Sequence, residues 1–183
     1  LPSGAGISKV DAMTMHEVWR LPPEAPRRQG RRPDVVRIVT GLLIGEYPVA
    51  GDIPWLRELH GISTIVNLQD AHDLQALALD LDELRAAAAA CAIAYHHFPV
   101  PDCGPEQLAP TLGRVLATLA AADGSGRIVY LHCNAGLNRA PTVAIAYLHA
   151  HAGLSLVEAC ALVKSRRACG PYMRVLEQYF RTR

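Results

Sequence analysis

Apolar positions in this chain fall into two kinds of run. The short ones are Val35–Val39, Leu42–Ile44, Ile62–Leu68, Ala94–Val100 and Ile128–His132. They are rich in β-branched and aromatic residues and are bounded by Gly or Pro, so they predict strands, the first two joined by a tight turn at Gly41. Ile128–His132 (IVYLH) lacks polar alternation, the pattern of a strand covered on both faces. The longer runs are Ala- and Leu-rich with polar residues at helical spacing. They predict helices over Ile53–His60, Leu79–Ala92, Gln107–Ala122 and then 139–151, 155–167 and 171–181. Ser155 with Glu158 three residues on reads as a capping box opening the 155–167 helix. Strands alternating with helices predict an α/β domain: a central, mostly parallel sheet of about four to five strands with helices on both faces. Ligands of such sheets bind beyond the carboxyl ends of the strands.

The first 34 residues differ. Pro22, Pro23, Pro26 and Pro33 recur among Arg27, Arg28, Arg31 and Arg32, a composition that rarely builds regular structure. Residues 1–34 are therefore expected to form an extended arm, with Trp19 packing against the domain that occupies 35–183. No cleavable leader is expected, because the first 30 residues hold no apolar run of the required kind.

Composition narrows the class. Of the 183 residues, 50% are hydrophobic and 19% charged, the balance of a globular domain large enough to build its own core. Net charge is only +1, with both ends basic: seven Lys/Arg against four Asp/Glu in residues 1–40, and six against one in 164–183. The middle is acidic, so a nucleic-acid partner is not expected. Ala140–Val157 is an uncharged run of 18 residues, but it contains Pro141, His149, His151 and Gly153 and reads as a buried helix with its turn. Membrane insertion is not expected. The five cysteines, at 91, 103, 133, 160 and 169, form no C-x-x-C pair. That argues against a zinc framework or a disulfide scaffold and for a reducing compartment, the cytoplasm.

The chemistry concentrates after Ile128–His132, in Cys133-Asn134-Ala135-Gly136-Leu137-Asn138-Arg139. A short loop feeding a helix N-terminus can aim successive N–H groups at one point, which makes an anion cradle. The same field favours a thiolate at position 133 and aims it at the bound oxyanion. Gly136 gives the backbone the freedom to approach the anion closely. Arg139 can return its planar fork to two oxygens of a phosphate, which a lysine could not do.

His132-Cys133-x-x-Gly136-x-x-Arg139 resembles the C-x5-R signature of the cysteine-based protein-tyrosine and dual-specificity phosphatases, and the element order over 35–181 is similar to theirs. The resemblance implies their fold and a two-step hydrolysis of phosphomonoesters with no metal and no cofactor. It implies that the Cys133 thiolate attacks phosphorus, that the amides of residues 134–139 and the Arg139 side chain hold the phosphoryl oxygens, and that His132 orients the loop. Asp102, in Pro99-Val-Pro101-Asp102-Cys-Gly104, is implied as the acid that protonates the leaving oxygen and then serves as base. Asp70 and Asp73, read as loop residues, are rival acids. One departure stands out: Ala140 occupies the place where most of these enzymes carry Ser or Thr, and Thr142 lies two residues beyond it. Cys91, Cys103 and Cys169 are each candidates to protect Cys133 as a reversible disulfide.

The phosphorylated substrate is left open. The leading reading is a dual-specificity phosphatase acting on phosphotyrosine and on phosphoserine or phosphothreonine. The alternative is a glucan phosphatase. Cys133–Pro141, Asn67-Leu-Gln-Asp70 with Asp73-Leu, and Ser165–Pro171 resemble the plant-type glucan enzymes, and among those Ala140 is no anomaly. Against it stand Asn138, where those enzymes have Gly, and the absence of aromatics from Leu74–Asp80 and Asp102–Leu108. A phosphoinositide phosphatase fits less well because Asn134, Leu137 and Asn138 are uncharged, although Arg166 and Arg167 lie on a basic helix end. An RNA 5′-triphosphatase is disfavoured by Ala135. A non-catalytic phosphate-binding module is disfavoured by the presence of Cys133, Arg139 and Asp102 together.

Overall fold

The computed structural model describes residues 30–102 and 104–182. Most of the expected arm, including Trp19, lies outside the described residues, as does Cys103. Five strands form one sheet: β1 (Val35–Val39), β2 (Leu42–Gly45), β3 (Thr64–Asn67), β4 (Ala94–His97) and β5 (Val129–His132). Their order is β1-β2-β5-β3-β4, with β1 antiparallel to β2 and every other pair parallel. Among the described residues seven α-helices accompany them: α1 (Ile53–His60), α2 (Ala71–Ala76), α3 (Leu81–Ala90), α4 (Pro105–Gly124), α5 (Arg139–His151), α6 (Leu156–Arg166) and α7 (Met173–Arg181).

Alternation along the strands divides the core in two. On β5, Val129 and Leu131 face the cluster built with α4, α5, α6 and α7, while Tyr130 faces the smaller one built with α1 and α3. All four β5 residues are buried, as its unbroken apolar run predicts. α5 explains the uncharged stretch: every residue from Arg139 to Leu148 is buried, so the helix sits inside the protein. Truncating one of the fully buried leucines, such as Leu131, to Ala costs about 2–5 kcal/mol of stability.

The sequence placed these elements well and their ends less well. β3 and β4 stop at Asn67 and His97, short of the expected ends at Leu68 and Val100, and the chain beyond them leaves the sheet to build the site. α4 starts at Pro105, where a proline's missing N–H costs nothing. The capping box of α6 is present, with Ser155 and Glu158 each accepting from the other's backbone N–H. One helix was not expected. Asp70 accepts from the Asp73 N–H while Asp73 accepts from the Asp70 N–H, a reciprocal cap that opens α2 where a loop was predicted. At six residues, α2 is too short to show a helical period.

Candidate active site

Strand register sets the site. Gly45 and Asn67 both lie opposite His132, and Asn67 lies opposite His97, so these strands end at one edge of the sheet. Cys133 is the next residue after β5 and is 3% exposed. Residues 133–138 then loop into α5, whose first residue is Arg139.

This loop turns its carbonyls outward. Asn134 O accepts from Tyr47 N at 2.9 Å, Ala135 O from Arg167 Nη2 at 2.8 Å, and Gly136 O from Arg167 Nε at 2.9 Å. Leu137 O accepts from Gly170 N at 2.8 Å, and Asn138 O from Thr142 N at 3.0 Å and Thr142 Oγ1 at 2.7 Å. None of the N–H groups of residues 134–138 donates to another described residue. With the carbonyls spent on the outside, the amides face the concave side, an arrangement suited to an anion. Gly136 makes the turn with φ +67°, and a Cβ there would stand 2.5 Å from Gly45 O, so no other residue fits.

Arg139 is 1% exposed and reaches across this concavity. Its Nη1 donates to Asp73 Oδ2 at 2.5 Å and to Val100 O at 2.7 Å. Nε and Nη2, both buried, have no hydrogen-bond partner among the described residues; Nε lies 3.4 Å from Asp102 Oδ1. One edge of the guanidinium is thus anchored and the other is presented as a fork. Burial opposes the Arg139 charge, but the neighbouring Cys133 sulfur, then Asp73 and Asp102, outweigh it and hold its pKa above the ordinary arginine value.

Asp73 departs from its expected role as a rival acid. It is 4% exposed, and besides Arg139 it accepts from Asn134 Nδ2 at 2.6 Å. Burial alone would raise its pKa, but the hydrogen bonds from Arg139 and Asn134 prevail and hold it below the usual carboxylate range. A carboxyl kept ionised in this way is a poor proton donor. Asn134 is held further by Gln69 Nε2, 2.7 Å from its Oδ1, and Gln69 in turn by His97 Nε2 donating to its carbonyl at 2.7 Å. Asp102, by contrast, is 44% exposed at its side chain and stands over the opening, its Oδ2 3.5 Å from Asn134 Nδ2.

His132 is fully buried; its Nδ1 donates to Cys133 O at 3.2 Å and its ring stacks on Tyr130. Burial is the main cause that pushes its pKa down to about 3, so the ring is neutral near pH 7 and holds the loop without carrying charge.

Two further expectations change. Arg167, read with Arg166 as a basic helix end, is not at the surface: it is 7% exposed and braces the loop from behind. Cys91 follows α3 and precedes β4, at the amino ends of the parallel strands, whereas Cys133 follows the carboxyl end of β5; the sheet separates them, and they cannot pair. Cys160 and Cys169 are buried free thiols, and burial pushes the Cys169 pKa up to about 12.

The profile of the dual specificity phosphatase catalytic domain matches residues 42–181. The chain belongs to that family. A phosphoglucan phosphatase from Castanea sativa, DSP4, described as amyloplastic, is 33% identical over 128 residues, which is 69% of this chain and 34% of that protein. The chain therefore spans about a third of the length of that relative. Among solved structures, Tk-PTP in its active form superposes with TM-score 0.66 at 25% identity, covering 79% of this chain and 95% of that one. Human DUSP28 superposes with TM-score 0.65 at 25% identity, covering 89% and 98%. The α/β sheet with its helices is thus the dual-specificity phosphatase fold, and members of this family act on phosphorylated substrates. No helix among the described residues is long and apolar enough to cross a membrane.

Gln69, His97 and Arg167 escaped sequence reasoning, and Asp73, weighed there only as a rival acid, stands here as the buried partner of Arg139. Only Asp73 carried a local signal, its reciprocal cap with Asp70.

Proposed function

We propose that this domain hydrolyses phosphomonoesters through a phosphocysteine intermediate and acts as a dual-specificity protein phosphatase. The observation that carries the reading is the loop 134–138, with its carbonyls bonded outward, beside the anchored guanidinium of Arg139 and the sulfur of Cys133. In the first step the Cys133 thiolate attacks phosphorus in line, forming the S–P bond as the ester P–O bond breaks. Loop amides and the free edge of Arg139 hold the equatorial oxygens, whose charge is best stabilised by donors already in place. Asp102, protonated, gives its proton to the leaving oxygen. In the second step Asp102 takes a proton from water, whose oxygen attacks phosphorus, and the thiolate leaves. This chemistry calls on no cofactor.

A second reading, dephosphorylation of a glucan, is favoured by the match to the Castanea sativa phosphoglucan phosphatase. Neither reading calls for nucleic acid or membrane insertion. We also place the protein in the cytoplasm, where a nucleophilic thiol and the buried free thiols of Cys160 and Cys169 stay reduced. The test is phosphate release without added metal from an aryl phosphate, a phosphotyrosine peptide and a solubilised phosphoglucan, with Cys133→Ser as the blank. Peptide turnover without glucan release supports the protein phosphatase; a high glucan-to-aryl ratio supports the second reading. Turnover that survives Cys133→Ser would remove both.

A further inference from the structure

The N-terminal segment reaches the phosphate loop through Arg167. This residue ends α6 in extended backbone and turns its guanidinium into the protein. Nε and Nη2 donate to Gly136 O and Ala135 O, and Nη1 donates to Asp34 Oδ2 at 2.8 Å. Asp34 immediately precedes β1, and its side chain in this ion pair is 57% exposed. Its backbone joins the same stack: Asp34 O accepts from Glu46 N at 3.1 Å, and Asp34 N donates to Glu46 Oε2 at 2.8 Å. Glu46 is further held by both terminal nitrogens of Arg31, at 2.7 and 2.8 Å. Close approach links the layers. A Cβ on Gly45 would come within 2.2 Å of Asp34 O, and one on Gly136 within 2.5 Å of Gly45 O.

We propose that Arg167 is a positioning residue for the phosphate loop and that Asp34, acting through it, makes anion affinity depend on the docked state of segment 31–34. The physical basis is the direction of the peptide groups. Amides can converge on an anion only if their carbonyls point away, and buried carbonyls need donors. Arg167 satisfies two of them with one rigid fork. Its charge, lying behind the loop, polarises those two peptides so that their N–H sides carry more positive potential. Asp34 fixes the third nitrogen and so holds the fork in register. Undocking the segment would free Arg167 to rotate and would weaken the cradle with no change in any group that touches the substrate. This rests on the loop being the anion site, as the proposed function holds.

The experiment is calorimetric titration of the full chain with tungstate, a tetrahedral oxyanion, well below each variant's unfolding midpoint. Arg167→Lys keeps the charge but not the fork, and affinity is expected to fall about tenfold. Asp34→Ala is expected to lower it about threefold, a charge-assisted bond at a half-exposed site. If Asp34 works through Arg167, the double variant matches Arg167→Lys alone, because residues acting in one network do not add. Affinity within twofold of the parent for folded Arg167→Lys, or additive losses in the double variant, overturns the proposal. Should Arg167→Lys not fold, Asp34→Ala decides alone, with unchanged affinity overturning it. Tungstate binding without aryl-phosphate turnover by the parent chain would count against the catalytic reading while leaving the brace intact; a parent chain that binds no tungstate overturns the brace as well.

Discussion

Asp73 and Arg139 form an ion pair at 2.5 Å with both side chains almost wholly removed from solvent, 4% and 1% exposed. A buried pair of this kind gives little net stability over an apolar pair, but removing one partner strands the other's charge. Asp73→Asn is therefore expected to lower unfolding free energy by roughly 3–5 kcal/mol and to loosen the fork. Urea unfolding and vanadate inhibition of the same variant check both parts. An inhibition constant unchanged in a destabilised variant would mean that Asp73 supports the fold and not the fork.

Acid destabilises the protein through two groups in this region. The folded pKa of His132, about 3, lies below the ordinary histidine value of 6.5. Between these values the unfolded chain binds the proton and the folded one does not, so stability falls as pH drops from about 6.5 towards 3. Asp73, with its folded pKa held below the ordinary range, adds a loss further down, as the pH falls from its unfolded value through its folded one. Urea midpoints at pH 7, 6, 5 and 4 are expected to decline steadily. His132→Gln is expected to flatten the slope between pH 6.5 and 5, and an unaltered slope would remove His132 as its cause.

Gly136→Ala places a methyl group 2.5 Å from Gly45 O at φ +67°. Both the contact and the left-handed backbone oppose it. The loop is expected to open, with loss of oxyanion binding and destabilisation of several kcal/mol. Calorimetry with tungstate and thermal unfolding read the two effects.

The reverse exchange stabilises elsewhere. Ala92, exposed just past α3, sits at φ +54°. Glycine takes this conformation without the steric penalty of Cβ, so Ala92→Gly is expected to add about 0.5–1 kcal/mol despite the looser unfolded chain. A fall in the urea midpoint would contradict the strain argument.

If Asp102 is the acid, its effect depends on the leaving group. Asp102→Asn is expected to slow release of alkyl-like alcohols about 100-fold or more and to spare p-nitrophenol, which leaves without a proton. Steady-state rates across a series of aryl phosphates test this. An equal loss along the series would assign Asp102 a positioning role through Arg139 or Asn134, which its carboxylate approaches at 3.4 and 3.5 Å.

Ala140 illustrates how a departure seen in the sequence is completed by the fold. Thr142, two residues beyond it, donates to Asn138 O and accepts from Tyr172 N at 2.8 Å. It therefore closes the loop onto the 170–172 segment and does not replace a hydroxyl at 140.

What the sequence determined by itself is the cassette β5-loop-α5. Its strand is a continuous apolar run, its glycine fits one left-handed position, and Cys133 and Arg139 lie six residues apart, close enough for local geometry to bring them together. The sheet class followed for the same reason, because periodicity is a local property. Tertiary structure alone decided what surrounds that cassette. Asp73 meets Arg139 across 66 residues of chain, Gln69 meets Asn134 across 65, and Asp34 meets Arg167 across 133. In the sequence these are ordinary polar side chains, and Arg167 reads as part of a solvated basic run. Burial gives them their roles: once water is excluded, each charge and each carbonyl must find a partner, and the partner is set by which strand ends the sheet order brings to one edge.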